Sequence, residues 1–262
     1  MVQSLKDFSR PYFIGIAGTG MSAIAQYLQG IGMQVAGSDR EFSKATVAST
    51  KSKLEQAGVT CYPQDGSGMI DAIDLVVVSS AIESTVQEVV IAKERGIPII
   101  HRAALLALIA SSKKTIAVAG TSGKSTTAAM LFDILEVGGL SPSIISGAGL
   151  TRIIQQGKIG NAVVGQGEWL VIEADESDGT FLVLPTTLGI VTNVEADHLN
   201  YWGSYEAIEQ AFVDFIVGTG ERNGCAVVCG DDPGAKVVTN RAQELGANVI
   251  TYGQSKENDA VL

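Results

Sequence analysis

The sequence has few cysteines, few cationic residues and no long apolar run, and each of these absences excludes a class of protein. Three cysteines without a regular spacing are too few for the disulfide framework of a small secreted domain. The chain shows no charged-then-apolar signal peptide and no apolar run near the roughly 18 residues that a membrane helix needs. We therefore expect a cytoplasmic protein that does not insert into a membrane.

Cationic residues are outnumbered by acidic ones. There are 18 lysines and arginines against 28 aspartates and glutamates, and the net charge is −10. Such a balance argues against nonspecific affinity for nucleic acid or for an anionic membrane surface. It does not argue against a nucleotide ligand, which needs only a local positive site.

The composition that remains is that of a globular protein. The 262 residues are 46% hydrophobic and 18% charged, which is enough material for two domains of roughly 100 to 200 residues each. Thirty glycines against six prolines suit a fold with many strand-to-helix turns. The polar tetrad 111–114 interrupts the apolar pattern, so we place the domain boundary there and predict domains 1–111 and 112–262.

The stretch around which the second half is organised runs from Thr115 to Met130. The apolar run Thr115–Ala119 predicts a buried strand, and a glycine turn leads from it into helix formers. Such a turn presents backbone N–H groups to phosphates, the lysine adds a positive charge, and the next hydroxyl is suited to Mg²⁺. The P-loop pattern would require glycine where Val118 stands. The alternative is a turn that binds nothing. We predict that ATP is bound by Gly120, Thr121, Ser122, Gly123, Lys124, Ser125 and Thr126.

Two acidic segments follow predicted strands of the same half. The strand 168–172 ends in Glu173–Asp178, and the strand 188–191 ends in a segment that contains Asp197 and His198. Because parallel strands end at one edge of a sheet, we expect these groups near the glycine turn. Carboxylates there would hold a hard cation through oxygen. The alternative reading is an acidic surface turn.

The first half opens with a β-α-β pattern. A short strand, 12–17, precedes the turn Gly18–Gly20, a helix follows, and a second strand ends at Ser38 and Asp39. The turn is compatible with a nucleotide-diphosphate site and equally with a tight turn that has no ligand. The acidic residue about 20 positions later also suggests a dinucleotide oxidoreductase. The absence of a glycine three residues after Gly20 weighs against that function.

Several separated segments together resemble the Mur ligases of peptidoglycan synthesis. In chain order they are FIGIAGTGMS, GSD, SSAI, GIPIIHRAALLALI, AGTSGKSTT, EADESDGTFL and TNVEADHLN. The resemblance covers nearly the whole chain and is strongest to members that join L-alanine to UDP-N-acetylmuramate. It implies an α/β fold, with an N-terminal Rossmann-like UDP-binding domain followed by a P-loop ATP-binding central domain. It also implies that ATP phosphorylates the sugar carboxylate and that the amine then attacks the acyl phosphate.

The resemblance also implies roles for individual residues. The UDP-sugar would contact Gly18, Thr19, Gly20, Met21, Ser22, Ser38, Asp39, Ser79, Ser80, Ala81, Ile82 and Asn193. The catalytic residues would be Lys124, Glu173 and His198. Magnesium would be held by Ser125, Glu173 and His198.

The sequence also departs from the family pattern. Ser122 stands where alanine-adding members usually carry histidine, and Ala17 stands where glycine is usual in the first turn. Family members have a third domain that binds the amino acid, and we expect this chain to lack it and to be inactive alone. The alternative is a noncatalytic module that binds a UDP-sugar or another nucleotide. The oligomeric state is left open.

Overall fold

The computed structural model describes residues 2–220 and 224–261. The chain forms two compact units, each of which combines two segments of the sequence. The first unit contains Met1–Ser112 and Ser143–Gln166, and the second contains Lys113–Pro142 and Gly167–Leu262. In the described residues, no helix is both long enough and apolar enough to cross a membrane.

The strands are short and are spread over the whole chain. They are β1 (Pro11–Ile14), β2 (Ala36–Asp39), β3 (Thr60–Pro63), β4 (Leu75–Val78), β5 (Ile99–His101), β6 (Lys114–Ala119), β7 (Ser143–Ile145), β8 (Ala162–Val163), β9 (Trp169–Glu173), β10 (Leu188–Val191), β11 (Cys225–Cys229), β12 (Val249–Gly253) and β13 (Ala260–Val261).

Helices alternate with most of these strands. They are α1 (Thr19–Gly30), α2 (Ala45–Gln56), α3 (Gln87–Glu94), α4 (Arg102–Ser111), α5 (Lys124–Val137), α6 (Thr151–Ile154), α7 (Leu199–Trp202), α8 (Tyr205–Gly220) and α9 (Pro233–Glu244). Two short 3₁₀ helices cover Leu5–Asp7 and Thr180–Val183.

Local sequence explains where several helices begin. At α9 the Asp232 carboxylate accepts a hydrogen bond from the backbone N–H of Ala235, and Pro233 occupies the first helical position. At α4 the ring nitrogen Nδ1 of His101 accepts from the N–H of Ala103 at 3.3 Å. His101 therefore caps a helix.

The first unit is built on a parallel sheet with strand order β3-β2-β1-β4-β5. Tyr12 of β1 lies opposite Ala36 of β2 and Val76 of β4. All four residues of β1 are buried, as expected for a strand with neighbours on both sides. This order matches that of the first five strands of a six-stranded dinucleotide-binding sheet, and it confirms the predicted α/β class.

The first unit also includes residues 143–166, which carry the antiparallel pair β7–β8. Asn161 joins this segment to α1. Its side-chain amide donates to the carbonyl of Thr19 and to the Ser22 hydroxyl, and it accepts from Gln26 at 2.7 Å. Asn161 is almost fully buried, so these hydrogen bonds satisfy a side chain that is out of contact with water. The division into domains 1–111 and 112–262 stays a prediction.

In the second unit, parallel pairs join six strands in the order β13-β12-β11-β10-β6-β9. The glycine-turn strand β6 lies between β9 and β10, with Val118 opposite both Glu173 and Ile190. The segments that follow these three strands therefore leave the sheet at the same edge. This confirms the arrangement expected from the sequence.

The core of the second unit contains an aromatic cluster. Phe181 packs against Phe212 and Phe215, with ring centroids 5.3 and 5.4 Å away, and meets Trp202 edge-on. The indole N–H of Trp202 donates to the carbonyl of Glu176 at 3.0 Å. The cluster thus supports the acidic segment that follows β9.

Candidate functional site

The glycine turn after β6 depends on two glycines for different reasons. Gly120 has a φ of +133°, and a Cβ built on it would lie 2.0 Å from the Thr192 hydroxyl oxygen. Gly123 has a φ of +86°, and a Cβ built on it would have no atom within 4 Å. The first glycine allows a close approach to the neighbouring loop, whereas the second provides the left-handed conformation from which α5 begins.

The loop after β10 holds this turn in place. The backbone N–H of Ser122 donates to Asn193 Oδ1 at 2.8 Å, and the Thr192 hydroxyl donates to the carbonyl of Ser122 at 2.6 Å. The N–H of Thr121 donates to the carbonyl of Asn193. Asn193 was expected to contact the sugar nucleotide, and here its side chain binds the backbone of the glycine turn.

Lys124 lies folded over the turn that precedes it. Its ammonium donates to the carbonyls of Gly120 and Thr121, at 2.7 and 3.2 Å, and to the carboxylate of Glu176 at 2.9 Å. Glu176 is almost fully buried, so its charge depends on this partner. Burial raises the pKa of Glu176, and the hydrogen bond from Lys124 opposes that rise.

The other predicted catalytic groups lie beside Lys124. The Ser125 hydroxyl donates to Glu173 Oε1 at 2.8 Å. His198 has a φ of +52°, and its Nε2 lies 3.9 Å from Glu176 Oε1 and 3.7 Å from Asp197 Oδ2. The structure therefore brings Lys124 and His198 to the same carboxylate, while Ser125 and Glu173 form a second pair.

The donors in this region suit magnesium. Ser125 and Glu173 provide a hydroxyl and a carboxylate within hydrogen-bond distance of each other, and both are hard oxygen ligands. Among the residues that the structure describes, no three His, Cys, Asp or Glu side chains are grouped so as to hold a metal ion by themselves. Magnesium commonly takes only one or two carboxylates and completes its shell with water and phosphate oxygens, so this donor set fits it.

The first unit contains a cavity of about 510 Å³ beside its own glycine turn. Of the residues predicted to bind the UDP-sugar, those that line it are Gly18, Met21, Asp39, Ser79, Ala81 and Ile82. A cavity of this size can enclose much of a small ligand. Six of the eleven residues predicted in this unit therefore lie at one cavity, whereas Thr19, Gly20, Ser22, Ser38 and Ser80 are not among its lining residues.

Two other predicted residues in this unit make different contacts. The Ser22 hydroxyl donates to the carbonyl of Thr19 at 3.0 Å. Ser38 is fully buried, and its hydroxyl donates to Glu88 Oε1 at 3.0 Å. Their side chains therefore help to hold the fold together, while their neighbours Met21 and Asp39 line the cavity.

Asp39 connects the cavity to the first glycine turn. Its Oδ2 accepts from the N–H of Ala17 and its Oδ1 from the N–H of Glu41, both at 2.9 Å. These bonds hold the carboxylate at the end of β2, where the turn and the next loop meet. A carboxylate in this place can accept a hydrogen bond from a sugar hydroxyl.

Sequence reasoning missed several residues near these sites. The remaining cavity-lining residues include Arg40, Glu41, Gln64 and Glu83. Arg102 lies so close to the start of α1 that a Cβ on Gly20 would come within 2.5 Å of its Nη1. Arg40 and Glu41 could have been found because they follow Asp39 at a strand end, whereas Arg102 is far away in the sequence. Glu176 belonged to a recognised acidic segment but was not singled out.

Comparison with protein families identifies both halves of the chain. The model described as Mur ligase middle domain matches residues 118–262. The model described as Mur ligase family, catalytic domain, matches residues 10–114. Together they cover both glycine turns and both acidic segments.

Curated relatives and solved structures agree with this match. The chain is 38% identical over 248 residues to a UDP-N-acetylmuramate–L-alanine ligase of Mesorhizobium japonicum, covering 95% of this chain and 50% of the relative. It is 46% identical over 222 residues to the ligase of the same name from Pelotomaculum thermopropionicum. This match covers 85% of this chain and 46% of the relative. The chain thus spans about half the length of these relatives.

One solved structure illustrates the likeness in three dimensions. UDP-N-acetylmuramate–alanine ligase MurC from Thermotoga maritima superposes with a TM-score of 0.76 at 28% identity, over 95% of this chain and 53% of that one. The fold, the order of the motifs and both family models lead to one conclusion. The chain belongs to the Mur ligase family.

Proposed function

We propose that this chain is the UDP-sugar- and ATP-binding part of a ligase that joins L-alanine to UDP-N-acetylmuramate. The observation that carries the proposal is the convergence of Lys124, Ser125, Glu173 and His198 where β6, β9 and β10 end. The names of the curated relatives support the choice of sugar nucleotide and amino acid. The predicted cytoplasmic location stays a prediction.

The second unit would bind and orient the triphosphate. The backbone N–H groups of Thr121 and Ser122 already donate to Asn193, so the phosphates would meet the N–H groups of the first turn of α5, where the helix dipole favours negative charge. Lys124 would contact the outer phosphates, which requires its ammonium to exchange protein contacts for phosphate oxygens. Ser125 and Glu173 would hold magnesium, which when bound neutralises phosphate charge and orients the γ-phosphoryl group.

The first unit would bind the sugar nucleotide in its cavity. Gly18 and Met21 border the cavity at the start of α1, where backbone N–H groups would face the diphosphate. Asp39 would accept from a ribose hydroxyl, and Ser79, Ala81 and Ile82 would cover the other side. The carboxylate of the bound sugar would then attack the γ-phosphorus of ATP and form an acyl phosphate, with ADP as the leaving group. The amine of L-alanine would displace phosphate and form the amide bond.

Calorimetry on the chain and on Lys124→Ala tests this division of labour. We expect the unchanged chain to bind both Mg-ATP and UDP-N-acetylmuramate. Lys124→Ala should lose Mg-ATP binding by about 100-fold or more, because a charged phosphate contact disappears from a partly enclosed site, while sugar-nucleotide affinity stays within twofold. Lys236→Ala is the matched control, since Lys236 is half exposed on α9 and pairs only loosely with Glu257.

Other outcomes would contradict the proposal in distinguishable ways. Equal loss of both ligands in Lys124→Ala would show that the two sites are not separate. Binding of NAD(H) to the first unit in place of the sugar nucleotide would favour the oxidoreductase alternative. Binding of the sugar nucleotide with no affinity for Mg-ATP under any condition would favour the noncatalytic module.

A further inference from the structure

Glu176 is a buried carboxylate to which the resemblance to the Mur ligases assigned no role. Only 3% of its surface is exposed, and it lies in the acidic segment that follows β9. Its backbone carbonyl is held by the Trp202 indole N–H. Its side chain therefore reaches the glycine turn from a fixed backbone position.

The three ammonium hydrogens of Lys124 all have acceptors within the protein. Lysine has three N–H donors, and here they meet the carbonyls of Gly120 and Thr121 and the carboxylate of Glu176. A phosphate oxygen can therefore bind Lys124 only if one of these acceptors is displaced. The two carbonyls belong to the turn itself, so Glu176 is the acceptor that can leave without changing the turn.

One carboxylate oxygen of Glu176 could accept a hydrogen bond from a second partner. Its Oε2 lies 2.9 Å from Lys124 Nζ, but it makes no hydrogen bond of acceptable geometry and is buried. Its Oε1 lies 3.9 Å from His198 Nε2. A buried carboxylate with an unsatisfied oxygen is unfavourable, so a Glu176 released by Lys124 would need another cation nearby.

We propose that Glu176 is a positioning residue that occupies Lys124 in the absence of nucleotide and is exchanged for phosphate when Mg-ATP binds. This inference rests on the proposed function. Because the released carboxylate repels phosphate, the exchange favours a triphosphate that arrives with magnesium over one that arrives alone. Glu176 thus makes the turn selective for the metal-loaded nucleotide.

The test compares Mg-ATP with metal-free ATP, the latter in the presence of a chelator. For Glu176→Gln, which keeps the size of the side chain and removes the competing charge, we expect metal-free ATP to bind about tenfold more tightly than it binds the unchanged chain. The ratio of Mg-ATP to metal-free affinity should fall accordingly. Glu168→Gln is the matched control, because it removes one carboxylate from an exposed position that precedes β9 and should change neither affinity.

A second readout needs no nucleotide. Lys124 should react several-fold faster with an amine-acylating reagent in Glu176→Gln, as measured by mass spectrometry of the labelled peptide, because its ammonium has lost its charged partner. Glu176→Asp, which keeps the charge, should retain the preference for Mg-ATP within about twofold of the unchanged chain. A purely structural role would instead make both variants lose thermal stability without changing the preference for magnesium.

The possible failures are distinguishable. If the variants bind ATP and Glu176→Gln neither tightens metal-free binding nor speeds Lys124 labelling, the present inference is overturned and the proposed function stands. If the unchanged chain and all variants fail to bind ATP with or without magnesium, the proposed function is overturned, and this inference with it. If Glu176→Gln does not fold, loss of the magnesium preference in Glu176→Asp also overturns it.

Discussion

The two units each contain a strand, a glycine turn and a helix, and each turn is anchored in the same way. In the first unit the N–H of Ala17 donates to Asp39 Oδ2 at 2.9 Å. In the second the N–H of Ser122 donates to Asn193 Oδ1 at 2.8 Å. In both cases the acceptor lies at or just beyond the end of the parallel strand that pairs with the strand before the turn. That neighbouring strand is β2 in the first unit and β10 in the second.

The difference between the turns is one of charge. The first is anchored by a carboxylate, whereas the second is anchored by a neutral amide and carries Lys124 at the start of its helix. A neutral anchor leaves the second turn favourable for the concentrated charge of a triphosphate. The carboxylate of the first can accept from a neutral sugar hydroxyl. Two similar backbones can thus serve different ligands through a few side chains.

The largest expected effect concerns the space around the two turns. In Gly120→Ala the new methyl group would meet the Thr192 side chain and backbone at a φ of +133°, so we expect a loss of roughly 3 kcal/mol in unfolding free energy. In Gly20→Ala the three atoms nearest to the new methyl group would belong to the long Arg102 side chain, and better helix propensity partly compensates, so we expect a change within about 1 kcal/mol. Urea unfolding, with hydrogen exchange followed in each unit, measures both values. Equal effects would show that the two turns are packed alike.

An intermediate effect should follow from exchanging the charges of the anchors. Asn193→Asp places a carboxylate against the backbone of the second glycine turn. We therefore expect Mg-ATP affinity to fall about tenfold, or 1.4 kcal/mol, with sugar-nucleotide affinity unchanged. Asp39→Asn keeps a neutral acceptor and should weaken sugar-nucleotide binding several-fold, with Mg-ATP unchanged. Calorimetry with both ligands provides the comparison. A loss of sugar-nucleotide affinity in Asn193→Asp would instead support the role that the sequence suggested for Asn193.

The smallest effect is expected at the threonines of the two turns. The Thr121 hydroxyl accepts from the N–H of Glu195 at 2.9 Å, and the site is exposed, so water can replace the lost partner in Thr121→Val. We expect a loss of about 0.5 to 1 kcal/mol and at most a threefold weakening of Mg-ATP binding. Thr19→Val, at the exposed start of α1, is the control and should leave stability unchanged within about 0.5 kcal/mol. Thermal unfolding measures both variants, and a larger loss in Thr19→Val would contradict this ranking.

Much of the fold could be predicted from the sequence because its signals are local. The apolar run Thr115–Ala119 predicted a buried strand and lies within β6, and the glycine turns were placed between strand and helix in both units. The weak periodicity of residues 148–159 predicts that they contain a hairpin or loop, and they lie in the connection between the antiparallel strands β7 and β8, which also includes the short helix α6. The packing of residues 143–166 with α1 depends on Asn161 and Gln26, which carry no periodic signal.

The candidate site was predicted in part for the same reason. The motif that contains Lys124 and Ser125, and the acidic segment that begins at Glu173, are contiguous in the sequence and could be recognised directly. Their pairing was only an expectation until strand order brought β9 beside β6. The contacts of Ser38 with Glu88 and of Asn193 with Ser122 could not be predicted, because they depend on side-chain directions.

The sequence by itself determined the family, the order of strands and helices, and which segments carry the glycine turns and the acidic groups, because backbone preference and apolar periodicity are properties of neighbouring residues. Only the tertiary structure decided that the ammonium of Lys124 rests on Glu176, 52 residues away, and that Arg102 lies at the start of α1. Such contacts depend on the order in which strands join a sheet and on the rotamers that packing allows. A linear motif records neither of these.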